Sequence, residues 1–222
     1  MSDIVLTLAD VCEPVLSLHP ELTIALINNV CSGKPIVCSP DINNGQVELL
    51  TMKDGHWIRN LATERGMWAI VEPIWVKQLA EWIGKRRVLE VGCGAGFLAR
   101  ELRLLDVRMF AVDNFSMNYE HKKMEPVTTI VRSDGIEAAK KTIAEVLIIS
   151  WPVQNCEFAV GVLRAWGRDR PVVYIGELWG GCTANDDFFE AFRVETQGEA
   201  AIHLPIWEGM HDTLSIGYYN GR

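Results

Sequence analysis

The stretch RRVLEVGCGAGFLAREL, residues 86–102, decides how this chain is read. Its apolar run ends on a carboxylate, Glu90, and is followed by glycines at alternate positions, Gly92, Gly94 and Gly96, ahead of an amphipathic segment. A strand, a glycine-rich turn and a helix in that order bring backbone N–H groups and a helix N-terminus toward a ligand. The missing Cβ atoms let that ligand approach the main chain. The spacing is E-x-G-x-G-x-G. Where a dinucleotide fingerprint, G-x-G-x-x-G, needs a third glycine for close helix packing, this chain has Phe97.

Working outward, short β-rich runs alternate with helical patterns. RVLEVG is followed by GFLARELRLL, then RMFAVD, TTIVRSD, IEAAKKTI, VLIISWP, EFAVGVLRAW, PVVYIGE and NDDFFEAFR. That alternation predicts βαβ units on a parallel sheet covered on both faces. The last two β-rich runs, AAIHLPIW and DTLSIGYY, have no helix-length segment between them, so a hairpin through EGMHD is expected. The predicted fold class is α/β: a Rossmann-like, doubly wound, mostly parallel sheet with an antiparallel C-terminal strand, over residues 67–222. Residues 1–66 read as a small N-terminal cap. PELTIALINNVCSG carries the proline and glycine of a helix start and stop, and KPIVCSPDINNGQVELLTM suits a hairpin around Asn44-Gly45. In EPIWVKQLAEWIG, Pro73 opens a helix, Ile74, Leu79 and Trp82 share a face, and Gly84 ends it.

The motif Glu90-x-Gly92-x-Gly94-x-Gly96 resembles the first motif of the class I S-adenosylmethionine (SAM) dependent methyltransferases. The resemblance implies SAM as cofactor, with Glu90 near its methionine end and Gly92 to Gly96 passing beneath it. The second strand, RMFAVD, ends on Asp113 about twenty residues further on, where an acid can accept both ribose hydroxyls. Asp113 with Asn114 also has the composition of a turn. In VRSDG, Ser133 and Asp134 fall where the family often holds the adenine amino group, and Asp134 before Gly135 is equally turn chemistry.

Ligands of parallel α/β sheets bind outside the carboxyl ends of the strands, so Ser150, Trp151 and Pro152 at the end of the fourth strand should face the site. Ser150-Trp151-Pro152-Val153 partly resembles the [D/N/S]-P-P-[aromatic] segment of methyltransferases acting on amino groups. The tryptophan comes early and Val153 replaces a second proline, which leaves the amino acceptor open. Over residues 67–218 the chain also looks like a group of methyltransferase-like proteins carrying the same Ser-Trp-Pro segment, with Trp68 upstream and GGCT..DDFFE downstream.

Glu177 follows the apolar run of the fifth strand, and its position predicts that it reaches the cleft. Thr183 is the expected cap of the next helix, with Asp186 and Asp187 as dipole complements in its first turn. The hairpin places Trp207, His211 and Asp212 at the same edge, His211 being either a turn residue or a group acting on the acceptor. Of eight tryptophans, Trp68, Trp151, Trp179 and Trp207 are placed to surround a flat or cationic ligand. Ser150, Trp151, Glu177 and His211 are thus the candidates for orienting the acceptor, and Trp68, Pro152 and Trp207 for lining its site.

Composition narrows the classes. Of 222 residues, 49% are hydrophobic and 23% charged, which describes a globular chain with its own core. The net charge of −8 opposes a broad phosphate-binding surface, so a small molecule or protein side chain is favoured over a nucleic-acid duplex as acceptor. The six cysteines form no C-x-x-C pair, and no metal site is expected. MSDIVLTLAD has no basic-then-apolar pattern, and no apolar run nears the ~20 residues a membrane span needs, so a cytoplasmic location is expected. The sequence says nothing of oligomeric state. Two rival readings stand beside a methyltransferase: an NAD(P)-dependent oxidoreductase, and a SAM-binding protein that has lost catalysis and acts through a surface.

Overall fold

The computed structural model describes residues 59–60, 62–117, 125–202, 204 and 210–221. The cap helix and hairpin expected within residues 1–58 lie outside the described residues, as does Trp207. Residues 59–60 and 62–64 are helical. Along the chain, α1 (Pro73–Ile83) leads into β1 (Arg87–Val91), α2 (Phe97–Leu104), β2 (Arg108–Asp113) and β3 (Val131–Arg132). There follow α3 (Gly135–Lys141), β4 (Val146–Ser150), α4 (Phe158–Trp166) and β5 (Val172–Gly176). The chain continues through α5 (Asp186–Ala191), β6 (Phe192–Thr196), α6 (Gly198–Ile202) and β7 (Thr213–Tyr219).

The strands form one sheet in the order β3-β2-β1-β4-β5-β7-β6. β1 pairs in parallel with both β2 and β4, and β2–β3 and β4–β5 are also parallel. β7 pairs antiparallel with β5 on one side and β6 on the other, so it alone runs against the rest. The fold is therefore the doubly wound, mostly parallel sheet with an antiparallel last strand that the sequence predicts. Winding runs outward from β1 toward β3 and from β4 toward β5, which makes the β1/β4 seam the point where a crevice opens at the strand ends.

Period-two alternation puts each central strand into two cores. Val88, Val146, Ile148, Val173 and Ile175 pack with α1, α2 and α6, while Leu89, Leu147, Ile149, Val172 and Tyr174 pack with α3, α4 and α5. Burial on both faces is why these strands read as nearly continuous apolar runs.

Helix α1 begins where Glu72 Oε2 accepts from the amides of Ile74 (2.8 Å) and Trp75 (3.3 Å), with Pro73 in the first turn. It ends at Gly84, whose N–H donates to Ala80 O at 2.9 Å with φ 60°. The buried face is Trp75, Val76, Leu79 and Ile83 rather than Ile74, Leu79 and Trp82; Ile74 is exposed.

Two further expectations are corrected. The partner of the final strand is β6, Phe192–Thr196, directly continuing α5, whereas the start of the expected hairpin arm, residues 200–202, lies in helix α6. The cap of α5 is Asn185, whose side chain accepts from Phe188 N at 3.1 Å, while Asp186 and Asp187 do occupy its first turn. Thr183 instead donates its hydroxyl to Glu177 O at 2.7 Å. No helix among the described residues is long and apolar enough to cross a membrane.

Candidate functional site

The loop after β1 turns at the β1/β4 seam, where Val91 lies beside Ile149. Gly92, Gly94 and Gly96 all have left-handed backbones, with φ of 63°, 57° and 82°. A side chain at any of the three would be strained, which is what the alternating glycines provide. Asp113, at the end of neighbouring β2, ties this loop down: Oδ2 accepts from Gly94 N at 2.8 Å and Oδ1 from Phe115 N at 2.7 Å. One carboxylate thus fixes both the glycine loop and the turn after β2, and each oxygen keeps a second lone pair. Asn114 closes the same turn by accepting from Ser116 N at 2.9 Å.

These loops border a cavity of about 420 Å³, within the range of small-molecule sites. It brings together Trp68, Gly92, Gly94, Asp113, Asn114, Ser150, Trp151 and Pro152 of the sequence-predicted residues. Gly96 sits below, its α-hydrogen side against Thr128 and Ile130. Glu90 opens instead into a pocket of about 20 Å³ behind the loop, shared with Trp68, Cys93 and Ser150. Ser133 and Asp134 do not line the main cavity among its described residues; Asp134 caps α3 through a 3.0 Å bond from Glu137 N, and Ser133 bonds Asp134 O. Glu177, His211 and Trp179 border a separate cavity of about 280 Å³.

Several lining residues carried no sequence signal. Phe115 and Phe158 supply aromatic walls, and Gln154, Cys156 and Cys182 supply polar edges. The Phe158 ring lies 3.4 Å from where a Cβ on Gly92 would stand, so the α4 start packs directly under the loop. An isolated bridge between Val153 and Thr183, with Gln154 Nε2 donating to Gly181 O at 2.9 Å, carries Cys182 to the cavity rim. Among the described residues no group of three or more His, Cys, Asp or Glu is arranged to hold a metal ion.

Electrostatics are set by burial. Glu90 is 2% exposed and its Oε2 accepts no hydrogen bond among the described residues. Burial pushes its carboxyl up to about 8; Asp113 adds to this, and Arg103 and the Ala99 amide oppose it. Burial likewise raises the Cys93 thiol, with Glu90 and Asp113 nearby, so that it stays a thiol. Asp212 is pushed up to about 7 by burial, against the pull of Arg59.

No protein-family model matches the chain, and no curated protein aligns with it significantly. Solved structures do align. TehB from Haemophilus influenzae aligns at a TM-score of 0.39 with 12% identity over 65% of this chain, which spans 61% of that one. Magnesium protoporphyrin IX methyltransferase (ChlM) from Synechocystis PCC 6803, with bound SAM, gives 0.43 and 9% over 99% of this chain and 100% of that one. A SAM-dependent methyltransferase from Archaeoglobus fulgidus gives 0.38 and 15% over 64% and 93%. The fold stands on the strand order and register above, and chemistry is read from the residues of the site.

Glu177 lines the separate cavity rather than the main one. It is 5% exposed, as an apolar strand end predicts, but both its oxygens are occupied by backbone: Oε1 by His211 N at 2.8 Å and Oε2 by Cys182 N at 2.7 Å. Burial raises its pKa, yet those amide donations, with Cys182 and His211 side-chain contributions, outweigh it and hold the group below the usual range. Its backbone carbonyl meanwhile accepts from the Tyr174 and Thr183 hydroxyls. His211 is exposed, with Nδ1 3.8 Å from Glu177. Glu177 therefore clamps the loop before α5 to the loop before β7. Glu177→Ala should lower unfolding free energy by about 2–4 kcal/mol, because it orphans two amide donors. Urea midpoints at constant slope measure this, and wild-type stability in the variant would refute the clamp.

Proposed function

We propose that this chain is a SAM-dependent methyltransferase acting on a small molecule or a protein side chain, with an amino nitrogen as the acceptor atom. The observation that carries the reading is the loop of three left-handed glycines, pinned by Asp113 and opening at the β1/β4 seam onto a cavity of about 420 Å³. The residues present suit the cofactor. Gly92 and Gly94 expose main chain to the cavity, Asp113 and Asn114 offer oxygen acceptors at the end of β2, and behind the loop Glu90 keeps a buried oxygen with no partner among the described residues. Phe115 and Phe158 add flat apolar surface of the kind that an adenine ring stacks on.

When bound, SAM would supply a methyl group on a sulfonium: an acceptor lone pair would bond to the methyl carbon in line as the carbon–sulfur bond breaks, the sulfur leaving as the neutral thioether. Such a step needs alignment and exclusion of water more than a strong base. Ser150, at the carboxyl end of β4, presents its hydroxyl and carbonyl to an acceptor N–H. Trp151 and Pro152 turn the chain across the cavity mouth, and the Trp151 amide stays tied to Ile175 O at 2.8 Å. The acceptor proton leaves toward solvent at the rim near Gln154 and Cys182. Glu177, whose two oxygens accept backbone amides, and His211, whose exposed imidazole borders the separate cavity, are given no part in this step.

Calorimetric titration of the purified protein with SAM, S-adenosylhomocysteine and NADH tests the reading. Micromolar affinity for the two sulfur ligands is expected, falling about tenfold or more in Asp113→Ala. Binding of NADH alone would overturn it in favour of an oxidoreductase, and unchanged affinity in Asp113→Ala would remove that carboxylate from the cofactor site.

A further inference from the structure

We propose that Arg59 and Asp212 are positioning residues for Trp151, holding its indole from face and edge so that it stands as a fixed wall of the main cavity. Use of that wall for an acceptor rests on the function proposed above; the grip itself does not.

Trp151 needs such support. It is a bulky residue at φ 47°, a backbone region that costs on the order of 1–2 kcal/mol for an L-residue and persists only where neighbours over-determine it. Its amide is held by β5, which fixes the main chain but leaves the ring free to turn. Arg59 covers the ring, with Cζ 3.9 Å from the centroid. This arginine is 8% exposed; Nη2 reaches Trp68 O at 3.4 Å, and Nε has no hydrogen-bond partner among the described residues, where stacking on the indole is the contact that orients the guanidinium.

At the ring's edge, the indole N–H of Trp151 and Oδ1 of Asp212 are both buried with no hydrogen-bond partner among the described residues. They are nevertheless close enough for the indole to favour the ionised carboxylate. Each is costly to bury alone, and each is the complement of the other. Asp212 also compensates the Arg59 guanidinium, a task shared with Glu177. The groups facing Asp212 from the packed elements are Arg59 from the helical segment, Trp151 after β4, and Glu177, Tyr174 and Cys182 around β5 and the loop that follows it; His211 adjoins it in sequence. A cation on the face and an anion at the edge thus bracket one aromatic side chain whose cavity-facing surface belongs to the site.

The indole ¹⁵N–¹H resonances of the full chain, without any added ligand, test this. The Trp151 signal is assigned by its loss in Trp151→Phe and followed from pH 5.5 to 8.5. It is expected to titrate with a midpoint near 7, the value to which burial drives Asp212, and to stop titrating in Asp212→Asn while the other indoles keep their positions. Arg59→Gln should move the midpoint upward by half a pH unit or more, which supplies the same reading if Asp212→Asn does not fold. A Trp151 resonance that is flat with pH, or one that still titrates in Asp212→Asn, or a midpoint unmoved in Arg59→Gln, would overturn the proposal. Failure to bind SAM would leave all of these results intact, so the two readings fail separately.

Discussion

Gly94→Val is expected to abolish measurable SAM and S-adenosylhomocysteine binding, a loss of about 100-fold or more. Two independent costs combine. The residue has φ 57°, where a β-branched side chain is strained by roughly 1–2 kcal/mol. A Cβ there also stands 2.9 Å from Gly66 O and 3.7 Å from Trp68 Cδ1, and the first of these is backbone that cannot rotate away. To admit valine, the loop must lift from residues 66–68 or give up the 2.8 Å bond from its amide to Asp113, and either movement displaces main chain that borders the cavity. At 1.4 kcal/mol per tenfold, about 3 kcal/mol of reorganisation gives the stated loss. Calorimetry alongside a circular-dichroism melt separates lost binding from lost folding, and Gly94→Ala should fall between. Affinity within threefold of wild type in a folded Gly94→Val would exclude this loop as the cofactor cradle.

The second large effect is on stability and carries a definite sign. Glu90 is protonated in the folded chain up to about pH 8 but ionises near 4.5 when unfolded. Its contribution is therefore fully present below 4.5, declines as pH rises at up to about 1.4 kcal/mol per unit, and is lost once pH passes 8. The full swing is on the order of 5 kcal/mol. Asp212, raised from 3.8 to about 7, leans the same way, so the wild type should be more stable at pH 5 than at pH 8.5. Glu90→Gln removes the larger part: its melting temperature should exceed the wild type's by about 5–15 °C at pH 8.5 and differ little at pH 5. Parallel stability curves for the two proteins across that interval would show that the carboxyl is not buried as described.

Much of this architecture is written locally. The apolar runs that became β1, β4 and β5 are continuous because both faces of each are covered, and the glycine loop and Asp113 follow their strands at spacings that any α/β switch point requires. β6 was not legible because its only buried residue is Phe192, which continues the helical spacing of Phe188 and Phe189 without a break. An edge strand with one inward side chain has no period-two signal to offer. The site divides in the same way. Gly92, Gly94, Asp113 and Ser150 reach the cavity because strand ends put them there, whereas the fates of Glu177 and Trp151 depend on partners distant in sequence, His211 and Arg59. Asp134 was ambiguous because a residue before a glycine helix start can serve a ligand or the helix, and here its oxygen takes the helix amide.

β7 follows every other described strand in sequence yet sits between β5 and β6. During synthesis, β5 and β6 leave the ribosome with a strand-wide gap between them, and each presents an unpaired edge until residues 213–219 arrive. At roughly 5–20 residues per second, the interval from the end of β6 to the end of β7 is a matter of seconds at most. For that time the nascent sheet offers other chains the open backbone that ordinarily invites aggregation. Of the described strands, the last to be made is thus the one that seals the sheet.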